Sequence, residues 1–190
     1  MECKKCKAQL EPGVTVCPEC GTDNTPDAPK GIYLTPGKLV ALIAVVVVLA
    51  AAATFGFCDQ FSNFIKDLVG RLRPLNDEFM LANGLNVLEK GTRSFSFFSA
   101  HSANAFGLAT STCIGLRLDK KWFPSTGKPE VWGKAYTGWM FFWAAMVAIS
   151  RAFVGKHYIG DIIVGTMVGF IAGYTFIKLA LFIIHRFKID

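Results

Sequence analysis

Charged residues are scarce in this sequence: they make up 18% of its 190 positions, and only fourteen residues are acidic. Hydrophobic residues make up 52% and the mean hydropathy is +0.39, which is too apolar for an ordinary soluble domain of this size. The chain also lacks an internal repeat and a basic groove interleaved with aromatic residues, so nucleic acid is not an expected partner. The net charge of +6 is typical of a membrane protein with cationic loops, or of one that handles anions at a membrane.

Four of the six cysteines form a cluster near the N-terminus: Cys3, Cys6, Cys17 and Cys20. Two Cys-x-x-Cys pairs at this separation can place four thiolates around one tetrahedral zinc ion, and the segment is similar to short zinc-ribbon modules. The alternative is two disulfides in a secreted domain. Because no signal peptide precedes the cluster, we expect zinc and a reducing compartment. Since cysteine fills every position, the zinc is predicted to be structural.

The rest of the chain predicts an all-α integral membrane helix bundle of about four transmembrane helices, behind a small zinc-ribbon domain. Residues 1–24 form the predicted ribbon, residues 25–37 a Pro- and Gly-rich linker, and residues 38–190 the membrane domain. The segment 39–57 contains no charged residue and is long enough to cross the hydrocarbon core. The four apolar segments predict helices at about 38–58, 95–116, 135–151 and 158–184.

The distribution of basic residues predicts an orientation. Residues 117–134 carry five Lys or Arg in 18 positions, whereas residues 59–94 carry five in 36. The positive-inside rule then places the first of these segments in the cytoplasm, together with the zinc ribbon. Residues 59–94 and 151–157 are consequently expected on the outer side.

The first candidate motif is "KDLVGRLRP", residues 66–74. Lys66 and Arg73 are seven residues apart, which predicts two cations on one helix face, with Pro74 ending that helix. Such a pair can clamp an anionic head group. The alternative is a juxtamembrane basic stretch that only touches phospholipids.

The second candidate motif is "SFFSAHSANAFG", residues 96–107. Small residues surround His101 where a helix is expected to begin, so backbone N–H groups can approach a ligand closely. The N-terminus of a helix also attracts phosphate. The alternative is a histidine packed inside the bundle and hydrogen-bonded to a serine.

The third candidate motif is "ISRAFVGKHYIGDIIVG", residues 149–165. His157 and Asp161 have i,i+4 spacing, which would let the carboxylate accept the imidazole N–H and leave the other ring nitrogen free to attack. Arg151 lies six residues before His157. A structural salt bridge is the alternative, but a carboxylate inside an apolar run costs about 2.5–3.5 kcal/mol in a membrane and therefore indicates function.

Together, the order K-x6-R-P, S-x-H and S-R-x5-H-x3-D resembles the three signature motifs of the type 2 phosphatidic acid phosphatase superfamily, over roughly residues 55–180. The resemblance implies a multi-pass enzyme of the bacterial inner membrane, with its site on the outer face, that hydrolyses the terminal phosphate of lipid phosphates or diphosphates through a phosphohistidine. The catalytic residues it implies are His157 as nucleophile, Asp161 as its orienting partner and His101 as proton donor. The phosphate-binding residues it implies are Lys66, Arg73, Ser99, Ala100 and Arg151. No catalytic metal is expected.

Two departures from the family pattern bear on the turn before His101, on the shape of the substrate and on the oligomeric state, and neither changes the reaction that the resemblance implies. Phe98 and Ala100 stand where the family usually has Pro and Gly, and the chain has fewer predicted helices than bacterial members usually have. By analogy with the family alone, the resemblance implies undecaprenyl diphosphate as the first expected substrate, ahead of phosphatidic acid and phosphatidylglycerophosphate.

Other functions and partners stay open at this point. The alternative function is a non-catalytic, membrane-anchored zinc-ribbon sensor or scaffold that binds lipid phosphates. The apolar context disfavours a haloperoxidase. Besides the lipid phosphate and membrane lipids, a cytoplasmic protein partner of the ribbon and assembly with a second copy of the chain are open.

Overall fold

The computed structural model describes residues 2–11, 14–25, 35–85, 94–117 and 129–186. They divide into two compact units, Met1–Tyr33 and Leu34–Asp190. Most of the predicted linker and of the predicted basic cytoplasmic loop lies outside the described residues.

The N-terminal unit contains two turns built in the same way. The N–H of Lys7 donates to the carbonyl of Cys3 at 3.1 Å, and the N–H of Gly21 donates to the carbonyl of Cys17 at 2.9 Å. Lys7 and Gly21 each follow the second cysteine of a pair and have positive φ angles of 62° and 67°. Leu10 packs against Cys3 and Cys17. Each turn therefore holds two thiols of one Cys-x-x-Cys pair on the same side.

The described residues of the second unit form four long helices, one short helix and a 3₁₀ turn at Pro74–Asn76. In chain order the helices are α1 Pro36–Val69, α2 Glu78–Ala82, α3 Ala100–Arg117, α4 Pro129–Phe153 and α5 Ile159–Arg186. The described residues form no strand beyond two isolated β-bridges in the N-terminal unit. The predicted all-α class with four long helices is confirmed.

Two segments are long and apolar enough to cross a membrane. One lies within Val40–Ala82, most of which is α1, with a mean hydropathy of 2.7; the other is α5, with 2.1. Their side chains are largely exposed, since only 17% and 22% of the residues in the most apolar stretch of each segment are buried. A soluble fold would bury such surfaces, whereas lipid can cover them. The fold is that of an integral membrane protein.

Helix α3 lies at the centre of the bundle and packs against α1, α4 and α5. Its contact with α5 is close because α5 presents a row of glycines at i,i+4 spacing, Gly165, Gly169 and Gly173. A Cβ atom at Gly169 would overlap the carbonyl oxygen of Ala103. Small residues thus let the two backbones approach, as is typical of helix pairs in membranes.

Helix α1 extends well past its predicted end at residue 58 and stops at Val69. Gly70 ends the helix: it adopts the left-handed conformation, with φ of 63°, and its N–H donates to the carbonyl of Lys66 at 2.9 Å. At 1.5 Å per residue α1 is about 51 Å long, compared with about 30 Å of hydrocarbon. Its last turns therefore extend beyond the apolar core and carry polar residues to the end of the bundle.

Candidate active site

The three motifs meet at one end of the bundle. This end is formed by the last turn of α1, the segment 94–99 before α3, and the turn between α4 and α5. Three backbone hydrogen bonds tie these segments together. The N–H of Ser96 donates to the carbonyl of Arg71 at 2.8 Å, that of Leu75 to Gly155 at 3.1 Å, and that of Ser99 to Asp161 at 3.1 Å.

The two cations of the first motif are not on one helix face, so that prediction of their geometry is wrong. Lys66 is in the last turn of α1, but Arg73 follows Gly70 in extended backbone, with φ of −75° and ψ of 151°. The helix ends earlier than expected because Gly70, not Pro74, caps it. Both side chains are nonetheless buried, with 9% and 8% of their surface exposed.

Arg73 holds the other two segments in place. Its Nε donates to the carbonyl of Ser94 at 2.9 Å, and its Nη2 donates to the Ser94 hydroxyl at 2.8 Å. Its Nη1 donates to the carbonyl of Lys156 at 3.4 Å. The guanidinium therefore joins the stretch before α3 to the turn before α5.

Asp161 is completely buried and has three hydrogen-bond donors. Arg71 Nη1 donates to Oδ1 at 2.9 Å, while the Ser96 hydroxyl and the N–H of Tyr158 donate to Oδ2. The carboxylate is thus held as an anion in the first turn of α5. Sequence reasoning did not assign Arg71 or Ser96 to the site. Both lie within the motif stretches, but no sequence signal links either of them to a carboxylate 90 and 65 positions away.

His157 faces this carboxylate from the turn before α5. The expected pairing along one helix face is wrong, since α5 begins only at Ile159. The His157 Nδ1 atom lies 3.8 Å from Asp161 Oδ2, which is longer than a hydrogen bond, and it has no hydrogen-bond partner among the described residues. Burial, opposed by Asp161 and assisted by the charge of Arg73, lowers the pKa of His157. A neutral imidazole, which is the nucleophilic form, is therefore favoured.

The second motif lies at the start of α3. Ser99 is fully buried, and its hydroxyl accepts hydrogen bonds from the N–H and the hydroxyl of Ser102. His101 is exposed, and Arg151, Lys66 and His157 are close enough to act on its charge. Both histidines therefore belong to the same electrostatic environment. Ala100, whose N–H was the expected phosphate donor, is the first residue of α3.

Arg151 is in the last turn of α4 and is half-buried. Its Nε donates to the Ser150 hydroxyl at 3.1 Å. Its carbonyl accepts from the N–H groups of Lys156 and His157 at 3.1 and 3.3 Å. The residue therefore shapes the turn that carries His157 and also contributes positive charge. Gly155 makes this turn possible by adopting φ of 68°.

An outer contact supports Arg71. Its guanidinium lies 4.0 Å from the centre of the Tyr158 ring, and the Tyr158 hydroxyl donates to Asp77 Oδ2 at 2.6 Å. Burial and this bond to Asp77 raise the pKa of Tyr158 to about 12, so the phenol stays protonated and remains a donor. Arg71 is consequently held between Asp161 on one side and the Tyr158 ring on the other.

The cysteine cluster of the N-terminal unit is a separate candidate metal site. All four Sγ atoms lie within 4.8 Å of one another, and the Cys3–Cys20 and Cys6–Cys17 Sγ pairs are each 3.5 Å apart. Tetrahedral zinc with Zn–S bonds of about 2.3 Å needs sulfur atoms about 3.8 Å apart. Four thiols in this arrangement can hold one metal ion.

Comparisons with known proteins agree with this geometry. The family model of the PAP2 superfamily matches residues 40–184. Two relatives named lipid A 4'-phosphatase, from Bacteroides thetaiotaomicron and Porphyromonas gingivalis, are 34% and 29% identical over 151 residues. These alignments cover 78% and 79% of this chain. The chain spans about 60% and 56% of the lengths of these relatives.

A solved structure shares the fold. The transmembrane PAP2-type phosphatidylglycerolphosphate phosphatase of Bacillus subtilis superposes with a TM-score of 0.57 at 21% sequence identity. The match covers 78% of this chain and 72% of that chain.

The fold and the site define a helical membrane protein with histidine, aspartate and buried cations gathered at one end of its bundle. The chain belongs to the PAP2 superfamily, and the resemblance noted in its three motifs is confirmed.

Proposed function

We propose that this protein is a membrane lipid phosphatase that removes a terminal phosphate through a phosphohistidine intermediate. The observation that carries the proposal is the setting of His157. It is 4% exposed, its Nδ1 faces a carboxylate held by three donors, and Arg73 and Lys66 are buried beside the same motifs. Family membership and the two relatives named as phosphatases support the same activity.

In the first step, His157 Nε2 attacks the phosphorus in line, and the bond from phosphorus to the leaving oxygen breaks. His101 donates its proton to that oxygen, a transfer that contributes about 10²–10⁴ in rate. Asp161 stabilises the positive charge that develops on the imidazole. Lys66, Arg73, Arg151 and the N-terminal end of α3 bind the phosphoryl oxygens, because their charges and donors match the spreading negative charge.

In the second step, water attacks the phosphohistidine and the P–N bond breaks. His101, now neutral, takes the proton from the water, and inorganic phosphate leaves. Both histidines return to their starting protonation states. These residues supply the nucleophile, the proton transfer and the charge stabilisation, so the proposed steps use no metal ion.

Two substrates fit this proposal. Undecaprenyl diphosphate is the substrate predicted from the family resemblance. The second candidate substrate is a phosphorylated glycolipid of the lipid A type, because both relatives are named lipid A 4'-phosphatase. In both, the phosphate is at the membrane surface and the acyl or prenyl chains lie in lipid.

We also propose the orientation predicted from the sequence, with four membrane crossings and the active site on the outer face of a bacterial inner membrane. The end of the bundle opposite the active site carries Lys38 at the start of α1 and His185 and Arg186 at the end of α5. Positive charge at that end favours the cytoplasm. The open partners remain a second copy of the chain and a cytoplasmic protein bound to the ribbon.

A panel assay tests the function. Purified protein in detergent should release inorganic phosphate from at least one of lipid A, undecaprenyl diphosphate, phosphatidic acid and phosphatidylglycerophosphate, with EDTA present. A complete lack of release from all four lipids would reject the phosphatase and favour the non-catalytic lipid-phosphate sensor.

We propose that the cysteine cluster binds a single structural zinc ion and is not needed for the chemistry. Cys17→Ser should lower the zinc content of purified protein to below about a tenth, measured by atomic emission, because the site then loses one of its four thiolates. Cys113→Ser, a buried cysteine of α3, is the matched control and should keep its zinc.

Deletion of residues 1–30 should leave phosphate release within about threefold of the full chain, because no step above uses the ribbon. Loss of activity on deletion would show that the ribbon is required for assembly or regulation.

A further inference from the structure

A cavity of about 330 Å³ lies between α1, α3 and α4 and includes His101 in its wall. His101, Asn104 and Leu108 line it from α3, and their spacing places them on one helix face. Phe55 of α1 and Trp143 of α4 form apolar walls. Since His101 is the proposed proton donor to the leaving oxygen, the cavity lies on the side where the leaving group is bound.

The cavity contains one polar pair outside the proposed catalytic residues. Asn104 is 8% exposed, and its Nδ2 donates to Asp59 Oδ1 at 2.8 Å. Both residues line the cavity. The Oδ1 atom of Asn104 is buried and accepts no hydrogen bond from any residue that the structure describes.

A buried carbonyl without a donor is unfavourable, and native proteins retain one only rarely. Here the amide direction is set, because the Asn104 NH₂ group is used by Asp59. The wall of the cavity therefore contains a carboxylate, which only accepts, beside an amide whose oxygen has no donor among the described residues. A ligand that complements this pair must bring hydrogen-bond donors.

We propose that Asn104 and Asp59 are specificity-determining residues that bind hydroxyl or amide N–H groups of the leaving group. This inference rests on the proposed phosphatase function. It assigns the substrate to sugar-linked lipid phosphates, in which donors lie beside the phosphorylated carbon. Undecaprenyl diphosphate is disfavoured, because its leaving group is itself a phosphate and would place negative charge and further acceptors near Asp59.

The first test compares two probes, lipid A and phosphatidic acid. The diacylglycerol part of phosphatidic acid has ester oxygens but no donor beside the phosphate. The ratio of kcat/KM for lipid A to that for phosphatidic acid should fall about tenfold in Asn104→Leu, which is similar in size but has no amide. Asp59→Asn, which keeps the shape and removes the charge, should shift the ratio in the same direction.

Thr54→Val is the matched control. Thr54 is a buried polar residue of α1, but its hydroxyl donates to the carbonyl of Ala50 in its own helix at 2.7 Å. This variant should keep the wild-type ratio. If Asn104→Leu lowers kcat/KM equally for both lipids, or for neither, the specificity role is overturned.

A binding measurement keeps this inference separate from the proposed function. In a His157→Ala background, which cannot form the phosphoenzyme, the Kd for lipid A should be lower than that for phosphatidic acid, and Asn104→Leu should remove most of that preference. Retention of the preference overturns the role of Asn104. Absence of phosphate release by the wild-type protein, together with a preference that depends on Asn104, would overturn the phosphatase function alone.

Discussion

Replacement of His157 by alanine is expected to reduce phosphate release by at least about 10³-fold, since the proposed nucleophile is then missing. Because the His157 side chain is buried, the elution profile of the variant is compared with that of the wild type to check that it folds. Release of phosphate from the best lipid of the panel measures the effect. Rapid acid quenching with labelled substrate should show a phosphoenzyme in the wild-type protein and none in the variant.

The chain offers a matched control in His185, which is exposed in the last turn of α5 at the other end of the helix. His185→Ala should release phosphate at a rate within about twofold of the wild type. If His157→Ala kept most of the wild-type rate with the same elution profile, another residue would have to be the nucleophile.

Replacement of Gly169 by valine is expected to lower the midpoint of thermal unfolding in detergent by about 10 °C. The added Cβ would overlap the carbonyl oxygen of Ala103, a backbone atom that cannot rotate away. Helices α3 and α5 would therefore have to separate, and overpacking of this kind costs about 3 kcal/mol. Phosphate release should fall as well, because the N–H of Ser99, just before α3, donates to the carbonyl of Asp161 in the first turn of α5.

Gly138 of α4 provides the comparison, since no described atom lies within 4 Å of a Cβ built there. Gly138→Val makes the same chemical change in a helix, but the new side chain meets no neighbouring atom of the described structure. Its midpoint of thermal unfolding should stay within about 2 °C of the wild type. Equal destabilisation by both variants would mean that the loss of glycine flexibility, and not the close approach of α3 and α5, causes the effect.

The helices could be predicted from the sequence because their signals are local. An uncharged apolar run such as residues 39–57 is compatible with few structures other than a helix in lipid. The end of α1 could be predicted less well: the fall in hydropathy after position 58 predicts the end of the membrane-crossing segment, but the same helix continues without a break to Val69. Hydropathy predicts where a segment leaves the hydrocarbon core of the membrane. The end of a helix is instead set by where its backbone hydrogen bonds stop, and these can continue outside the lipid.

The residues of the candidate site could be predicted from the sequence, but their arrangement in space could not. The spacing of the three motifs is a property of the sequence, and it identified Lys66, Arg73, His101, His157 and Asp161 as candidates. It did not show that Arg73 lies in extended backbone, nor that Arg71 rather than His157 forms the shorter contact with Asp161, at 2.9 Å against 3.8 Å.

The sequence by itself therefore determined the class of fold, the family and a cysteine cluster suited to a metal, because composition, periodicity and short spacings are encoded locally. Only the tertiary structure decided which donors hold the buried carboxylate, and that Asn104, in the wall of a cavity beside His101, keeps a buried amide oxygen without a donor among the described residues. These contacts join positions up to 90 residues apart. Such pairings depend on how closely the helices pack, and the glycines of α5 allow that approach.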